Sequence, residues 1–214
     1  MGTITLVRHG QANNKATTAA DYDRLTDLGH QQARWLGEWM AAHEQSYDHI
    51  LSGTLRRHRE TAAGMGVAAE EDPRLNEIEY YTLTNAAAET LKMPHPGPED
   101  FADHMPRVLA AWKAAEIAGN ETYQNWHDRV ESLLAEAATP GRRVLCVTSG
   151  GIIGMVLGQI LDLDLLKMSR VMLPIYNSSL HHLHVRPNGE TILAGFNHTP
   201  HLDAPDRTSS RTHY

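Results

Sequence analysis

Three short and nearly continuous apolar runs stand out in the pattern of hydrophobic and polar positions. They are TITLV (3–7), DHILS (48–52) and RRVLCVT (142–148). Uninterrupted apolar runs of this length are typical of strands in the centre of a parallel sheet, because both faces of such strands are buried. The pattern therefore predicts three central strands.

Each apolar run is followed by a segment with helical spacing. LTDLGHQQARWLGEWMAAHE (25–44) begins near Thr26, a residue type that caps helix N-termini. LRRHRETAAGMG (55–66) follows the second run, and GIIGMVLGQIL (151–161), which is apolar on all sides, follows the third. Alternation of strand and helix predicts an α/β fold: a three-layer sandwich in which a mostly parallel, mixed sheet carries helices on both faces.

The remaining segments predict additions to a single domain that spans residues 1–202. Residues 76–119 begin irregularly, include the Pro-rich MPHPGP and end in a helical pattern, so we expect a small inserted cap. LPIYNSSLHHLHV (173–185) and GETILAGFN (189–197) predict two closing strands joined by a turn. The polar residues 203–214 predict a mobile tail.

Composition and charge narrow the classes of function. The formal net charge of −7 argues against a nucleic-acid-binding protein but leaves room for a local positive pocket for a metabolite. The single cysteine, Cys146, lies in an apolar run and predicts a buried thiol. We see no signal peptide and no apolar window of membrane-spanning length, so we expect a cytoplasmic protein without a membrane partner. A homodimer is the default expectation for its oligomeric state.

Polar residues follow all three predicted central strands. Arg8 and His9 follow the first strand, Arg57 follows the second, and TSGG (148–151) follows the third. Each of these features alone is typical of a turn, a solvated helix start or a helix cap. Because the carboxyl ends of parallel strands meet at one edge of a sheet, their joint occurrence favours a site.

The chemistry of these residue types fits a phosphoryl group. Arginine presents a planar fork of donors that matches phosphate oxygens, and the amides at a helix N-terminus bind anions. His9 is then either a cationic phosphate ligand or a nucleophile. A general acid must also protonate the departing oxygen. LNEIEYY offers Glu77 and Glu79, which lie on the same face of an extended segment.

Together these motifs resemble the histidine phosphatase superfamily, the phosphoglycerate mutase-like group. The matching segments are RHG (8–10), L-x-R-x-x-x-T-A (55–62), L-x-E (75–77), Asn177-Ser178-Ser179 and FNHTPHL (196–202). The resemblance covers the chain from residue 4 to about residue 202.

The resemblance implies a role for each matching residue. It implies that His9 is the nucleophile and carries a transient phosphohistidine, and that Arg8 and Arg57 bind the phosphoryl group. It implies that Glu77 is the acid and then the base that activates water. Glu79 lies on the same face of the predicted extended segment and stays open as the alternative proton donor. It also implies a phosphatase for small phosphorylated metabolites that needs no cofactor.

One departure from the family pattern concerns the loop after the third strand. Most members have a second histidine there, in a V-S-H-G-like segment, and this chain has Ser149 in its place. We expect Ser149 and the amide of Gly150 to bind the phosphoryl group instead. RHGQ together with TSGG resembles a bacterial branch of the superfamily with unassigned substrates. His58, beside Arg57, is expected to turn away from the site by one helical step.

Two alternatives to a phosphatase stay open. One is a phosphoglycerate mutase-type phosphotransferase, and the other is a phosphate-ester-binding protein with low activity, because the second histidine is Ser149. For substrate contacts we expect Gln11, together with Asn14 and Lys15 in the polar segment before the first helix.

We expect no metal ion, although His182 and His184 share one face of a predicted strand. The sequence contains no HExxH or CxxC motif that would support a metal site at these histidines.

Overall fold

The computed structural model describes residues 2–13, 16, 18–43, 45–97 and 99–213. In this part of the chain, six strands form one sheet: β1 (Gly2–Arg8), β2 (His49–Ser52), β3 (Glu70–Glu71), β4 (Arg143–Thr148), β5 (Leu180–Val185) and β6 (Thr191–His198). Their order is β3-β2-β4-β1-β5-β6. The first four are mutually parallel, and β5 and β6 are antiparallel to their neighbours. The predicted mixed sheet is confirmed.

Eight helices flank this sheet among the described residues: α1 (Ala19–Tyr22), α2 (Asp27–Ala42), α3 (Arg56–Gly64), α4 (Tyr80–Leu91), α5 (Phe101–Lys113), α6 (Tyr123–Ala137), α7 (Gly150–Ile160) and α8 (Leu165–Met172). Side chains alternate across β4, so Val144 and Cys146 join one core cluster whereas Leu145 and Val147 join the other. Helices α2 and α3 pack on the second cluster, and α4 to α8 pack on the first. These two cores give the predicted three layers.

Two of the local expectations hold in detail. Thr26 is the N-cap of α2, and its side-chain oxygen accepts a hydrogen bond from the amide of Gly29. Cys146 is a buried, free cysteine, and burial raises the pKa of its thiol to about 12. This thiol stays protonated at neutral pH and is a packing residue.

Helices α6 and α8 lie where the sequence pattern predicts no element, and α4 lies where an irregular segment is expected. Each of α6 and α8 does carry a capping residue: Thr122 accepts from the amide of Asn125, and Asp164 accepts from the amide of Lys167. The expected strand at 173–185 is shorter than predicted, since β5 begins only at Leu180. The left-handed backbone of Ser178, with a φ of 58°, interrupts the extended conformation there.

The segment after residue 202, for which we expect mobility, contacts the body of the protein. The amide of Asn177 donates to the carbonyl oxygen of Thr212 at 2.7 Å, and Nε2 of Gln32 donates to that of Ser210 at 2.7 Å. These bonds connect the segment to α2 and to the loop before β5. No helix among the described residues is long and apolar enough to span a membrane.

Candidate active site

The loops that follow β1, β2 and β4 lie side by side at one edge of the sheet. The register pairs Arg8 with Thr148, and the amide of His9 donates to the carbonyl oxygen of Thr148 at 2.8 Å. The amide of Gly53, after β2, donates to the carbonyl oxygen of Val147 at 3.0 Å. The parallel order of these strands therefore brings the three polar loops together, as the sequence predicts.

His9 is buried and its imidazole has a fixed orientation. Its Nδ1 lies 2.7 Å from the carbonyl oxygen of Gly10. Because a carbonyl oxygen only accepts hydrogen bonds, Nδ1 carries the proton and Nε2 carries the lone pair. Burial, and then the positive charges of Arg57 and Arg8, hold the pKa of His9 well below its ordinary value. The ring is therefore neutral, as a nucleophile must be.

Arg57 is held against the loop that precedes α2. Asp23 Oδ1 accepts from Nη1 of Arg57 at 2.9 Å and from its backbone amide at 3.2 Å, and Oδ2 accepts from the amide of Arg56 at 2.9 Å. Leu55, at the N-cap position of α3, provides no side-chain cap. Asp23 therefore caps α3 from a distant position in the chain, and it fixes the Arg57 guanidinium, whose central carbon lies 5.2 Å above the ring of Tyr22.

Arg8 and Arg57 are both buried, and both are close enough to His9 for their positive charges to lower its pKa. Nη1 of Arg8 donates to the carbonyl oxygen of Ile175. The Nε–H group of each arginine is buried and finds no acceptor among the described residues. Burial lowers the pKa of Arg8, an effect that the nearby carboxylate of Glu77 opposes. Buried guanidinium donors without an acceptor suit an anionic ligand such as a phosphoryl group.

Glu77 meets the N-terminus of α7. Its Oε2 accepts from the amide of Gly151 at 2.8 Å, and its Oε1 accepts from the amide of Ile78 at 3.0 Å. Glu79 has an exposed side chain whose Oε2 accepts from the hydroxyl of Thr82 at 3.1 Å. Of the two carboxylates that the sequence leaves open, Glu77 is the one that lies near Arg8 and α7.

Ser149 and Gly150 form the start of α7, next to Arg8. A β-carbon at Gly150 would lie 3.7 Å from Nε of Arg8, so the backbone approaches this guanidinium closely. The side chain of Ser149 is buried, and its Oγ lies 2.7 Å from Nε2 of His58. The N-terminal amides of α7 and the two arginines thus surround one small region.

The expectation that His58 turns away from the site is wrong. His58 is fully buried, and its ring centroid lies 5.7 Å from that of His9. The site around His9 extends from α3 to α7. Arg57 and His58, two successive residues in the first turn of α3, therefore both border it. The available sequence signal was a histidine in a helix whose neighbouring positions are charged, RRHRE.

The three residues expected to contact substrate have different outcomes. Gln11 contacts α2 and its N-cap. The side-chain Oε1 of Gln11 accepts from the hydroxyl of Thr26 at 2.7 Å, and the backbone amide of Gln11 donates to Oε1 of Gln32 at 2.8 Å. Asn14 and Lys15 lie outside the described residues.

His182 on β5 contacts a neighbouring threonine and a histidine on β6. Nδ1 of His182 lies 3.2 Å from the hydroxyl of Thr5, and its ring centroid lies 6.1 Å from that of His198. Among the described residues, the side chains with donor atoms close enough to share an ion are His127, Asp128 and Glu131 on the surface of α6. None of these three belongs to the region around His9.

Comparison with known proteins shows which family this chain matches. A model described as the histidine phosphatase superfamily (branch 1) matches residues 4–198. A 2,3-bisphosphoglycerate-dependent phosphoglycerate mutase of Methylorubrum populi is 30% identical over 132 residues, which cover 50% of this chain and 62% of that relative. The match therefore spans less than two thirds of the length of this relative.

Solved structures share the fold at low sequence identity. A mutant phosphoserine phosphatase from Entamoeba histolytica, in complex with phosphoserine, has a TM-score of 0.69 at 19% identity, covering 94% of this chain and 100% of its own. A mycobacterial glucosyl-3-phosphoglycerate phosphatase has a TM-score of 0.61 at 22% identity, covering 92% and 99%. At these identities the similarity establishes a common fold.

Proposed function

We propose that this chain, which belongs to the histidine phosphatase superfamily (branch 1), hydrolyses small phosphomonoesters through a phosphohistidine on His9. The observation that carries the proposal is the setting of His9. Its Nδ1–H group donates to the carbonyl oxygen of Gly10, its Nε2 is left with a lone pair, and the charges of two buried guanidinium groups act on it. Structural neighbours that are phosphatases support the same class of enzyme.

In the first step, Nε2 of His9 attacks phosphorus and the bond from phosphorus to the ester oxygen breaks. Arg8 and Arg57 bind the phosphoryl oxygens and neutralise their charge, with help from the amide of Gly150 at the N-terminus of α7. Glu77, in its protonated form, gives its proton to the departing oxygen, so that the alcohol leaves neutral. The products of this step are an alcohol, a Glu77 carboxylate and a phosphohistidine.

In the second step, the Glu77 carboxylate takes a proton from a water molecule while the water oxygen attacks phosphorus. The bond between phosphorus and Nε2 breaks, which releases phosphate and restores neutral His9. The mechanism needs no metal ion, because the two guanidinium groups supply the positive charge that a metal would otherwise provide.

We also propose a branch of the superfamily, a class of substrate and a cellular compartment for this protein. We assign the chain to the RHGQ/TSGG branch and propose Gln11 and Asn14 as residues that contact a small phosphorylated metabolite. The net charge of −7 supports a partner other than nucleic acid. The free, buried Cys146 fits a reducing compartment such as the cytoplasm.

A second candidate is transfer of the phosphoryl group to another hydroxyl of the substrate instead of to water. The relative from Methylorubrum populi is a phosphoglycerate mutase, and this observation favours the alternative. Incubation with 2-phosphoglycerate or 3-phosphoglycerate, followed by ³¹P NMR, separates the two reactions. Hydrolysis yields inorganic phosphate, whereas a mutase yields the other isomer.

The experiment that tests the proposal measures turnover of p-nitrophenyl phosphate and a panel of phosphorylated metabolites. We expect wild-type protein to release phosphate and His9→Ala to lose at least about 10³-fold in kcat. His43→Ala, which removes an exposed imidazole at the end of α2, is the control and should keep wild-type activity. Folded wild-type protein without turnover on any ester would contradict the proposal.

A further inference from the structure

The buried pair His58 and Ser149 is not accounted for by the mechanism above. Nε2 of His58 and Oγ of Ser149 are 2.7 Å apart, and both side chains are almost completely inaccessible to solvent. The two residues belong to different elements, since His58 lies on α3 and Ser149 lies directly before α7. The bond therefore connects the first turn of α3 to the start of α7.

Ser149 occupies a helix-capping position without capping the helix. Serine is favoured at an N-cap because its oxygen accepts from the amides of the first turn. The side chain of Ser149 makes no such bond, and the amide of Gly151 donates to Glu77 instead. The hydroxyl oxygen of Ser149 is directed to His58, and the hydroxyl proton is left to be donated elsewhere.

The surroundings of His58 determine which of its nitrogens carries the proton. Burial, and then the charge of Arg57, hold the pKa of His58 well below its ordinary value, so the ring is neutral and has one N–H group. Its Nδ1 is buried and has no hydrogen-bond partner among the described residues. A buried N–H group without an acceptor is costly, so the proton belongs on Nε2, where Ser149 Oγ accepts it.

We propose that His58 is a positioning residue that donates from Nε2 to Ser149 and thereby holds the Ser149 hydroxyl as a donor to the transferring phosphoryl group. The proposal rests on the phosphatase function proposed above. The Ser149–His58 pair would then supply the hydrogen bond for which the family resemblance assigns a second histidine, with the imidazole contributed by another helix.

The alternative is that the pair merely satisfies two buried polar groups. The protein has a matched example of such a pair, in which Oγ of Ser178 lies 2.8 Å from Nε2 of the buried His201. Ser178 lies in the loop before β5 and not at a helix N-terminus. His201→Asn is therefore a control for the structural cost of breaking a buried serine–histidine bond.

The decisive variants are His58→Gln and His58→Asn. Glutamine carries its amide nitrogen at about the position of Nε2 and can still donate to Ser149, whereas asparagine ends at the position of Nδ1 and cannot. We expect His58→Gln to keep kcat on p-nitrophenyl phosphate within about threefold of wild type. We expect His58→Asn and Ser149→Ala each to lower kcat roughly 10- to 100-fold with little change in KM, since a hydrogen bond to a charged transition state is lost.

A double variant tests whether His58 acts through Ser149. If it does, His58→Asn combined with Ser149→Ala has the kcat of Ser149→Ala alone. Multiplied losses, or equal losses in the Gln and Asn variants, would overturn the proposal. His201→Asn should lower the melting temperature and leave kcat unchanged. If His58→Asn does not fold, the other two variants decide. A wild-type kcat in Ser149→Ala would overturn the proposal. The expected loss in Ser149→Ala, together with an active His58→Gln, would support it.

Orthovanadate binding by calorimetry separates this inference from the proposed function. Wild-type protein that neither binds vanadate nor hydrolyses any ester would remove the proposed function and the inference with it. A wild-type enzyme that depends on His9 but is unaffected by His58→Asn would remove the inference alone. With both intact, we expect His58→Asn to weaken vanadate binding roughly 10-fold or more and His58→Gln to preserve it.

Discussion

Gly10 and Gly29 lie in backbone contact: a β-carbon at Gly10 would overlap the carbonyl oxygen of Gly29 in the first turn of α2. The amide of Gly10 also donates to the hydroxyl of Thr61 on α3 at 3.0 Å. Gly10, whose carbonyl oxygen accepts the hydrogen bond from Nδ1 of His9, therefore lies between α2 and α3. This close approach explains why glycine follows the histidine, and why the imidazole has one orientation.

The first prediction concerns Gly10→Ala. Because the added methyl group must displace backbone, we expect the free energy of unfolding to fall by roughly 1–3 kcal/mol and kcat to fall with it. Urea denaturation and steady-state kinetics measure the two effects. Gly97→Ala is the control, since among the described residues its β-carbon would meet only Asp100 Oδ2, at 3.5 Å. Equal behaviour of the two variants would show that the contact with Gly29 is unimportant.

The second prediction concerns the carboxylate that holds Arg57. Asp23→Ala removes both the cap of α3 and the partner of the guanidinium, so we expect about 1–2 kcal/mol lower stability and a higher KM for phosphate esters. Asp23→Asn keeps one side-chain oxygen, which can still accept from one of the two backbone amides, of Arg56 or of Arg57, so it should be more stable than Asp23→Ala. Denaturant unfolding and KM measurements compare the two variants. An unchanged KM in both would argue that Asp23 does not position Arg57 for substrate.

The third prediction concerns the contact between Gly151 and Glu77. A β-carbon at Gly151 would overlap Oε1 of Glu77, so Gly151→Ala must displace the carboxylate proposed as the proton donor. We expect kcat to fall by about 10²-fold, the scale of general acid catalysis, and to fall no further when Glu77→Gln is added. Steady-state kinetics on the two single variants and the double variant measures this. Independent, multiplied losses would mean that Gly151→Ala acts elsewhere.

The fourth prediction concerns stability at mildly acidic pH. Burial holds the pKa of His181 and of His201 at about 3, against 6.5 for the free side chain, and the pKa values of His9 and His58 are also well below 6.5. Below pH 6.5 the unfolded chain therefore binds more protons than the folded protein. Stability should be constant with respect to these groups above that pH and should fall as the pH drops from about 6.5 toward 3.

The slope of this loss identifies the histidines. Each buried neutral histidine contributes about 1.4 kcal/mol per pH unit once the unfolded form is protonated. Urea unfolding between about pH 5 and pH 6 should therefore show a slope that is shallower in His201→Gln by about that amount. This window lies above the range in which Asp and Glu side chains normally titrate. An identical slope in wild type and variant would show that His201 does not stay neutral in the folded protein.

Some parts of the fold follow directly from local sequence. The strands β1, β2 and β4 could be predicted because strands buried on both faces are continuous apolar runs, and α2 could be placed by its cap, Thr26. The convergence of Arg8, His9 and the TSGG segment followed from the parallel order of these strands. These features depend on neighbouring residues and on one topological rule.

Other parts depend on contacts that a local pattern does not contain. His58 and Ser149 are 91 positions apart, and only the packing of α3 against the start of α7 makes them partners. The bond from Asn177 to Thr212 likewise depends on where the polar C-terminal segment folds back. The choice between Glu77 and Glu79 required the turn into α4, which leaves Glu79 exposed.

Whether His9 accepts the phosphoryl group can be measured by rapid chemical quench. Wild-type protein mixed with an excess of a ³²P-labelled phosphomonoester is quenched in alkali within the first turnover and digested, and the labelled peptide is sequenced. We expect an acid-labile, alkali-stable label on the peptide that contains His9, formed before free phosphate accumulates and absent from His9→Ala. A label on another residue, or undiminished hydrolysis by His9→Ala, would contradict this expectation.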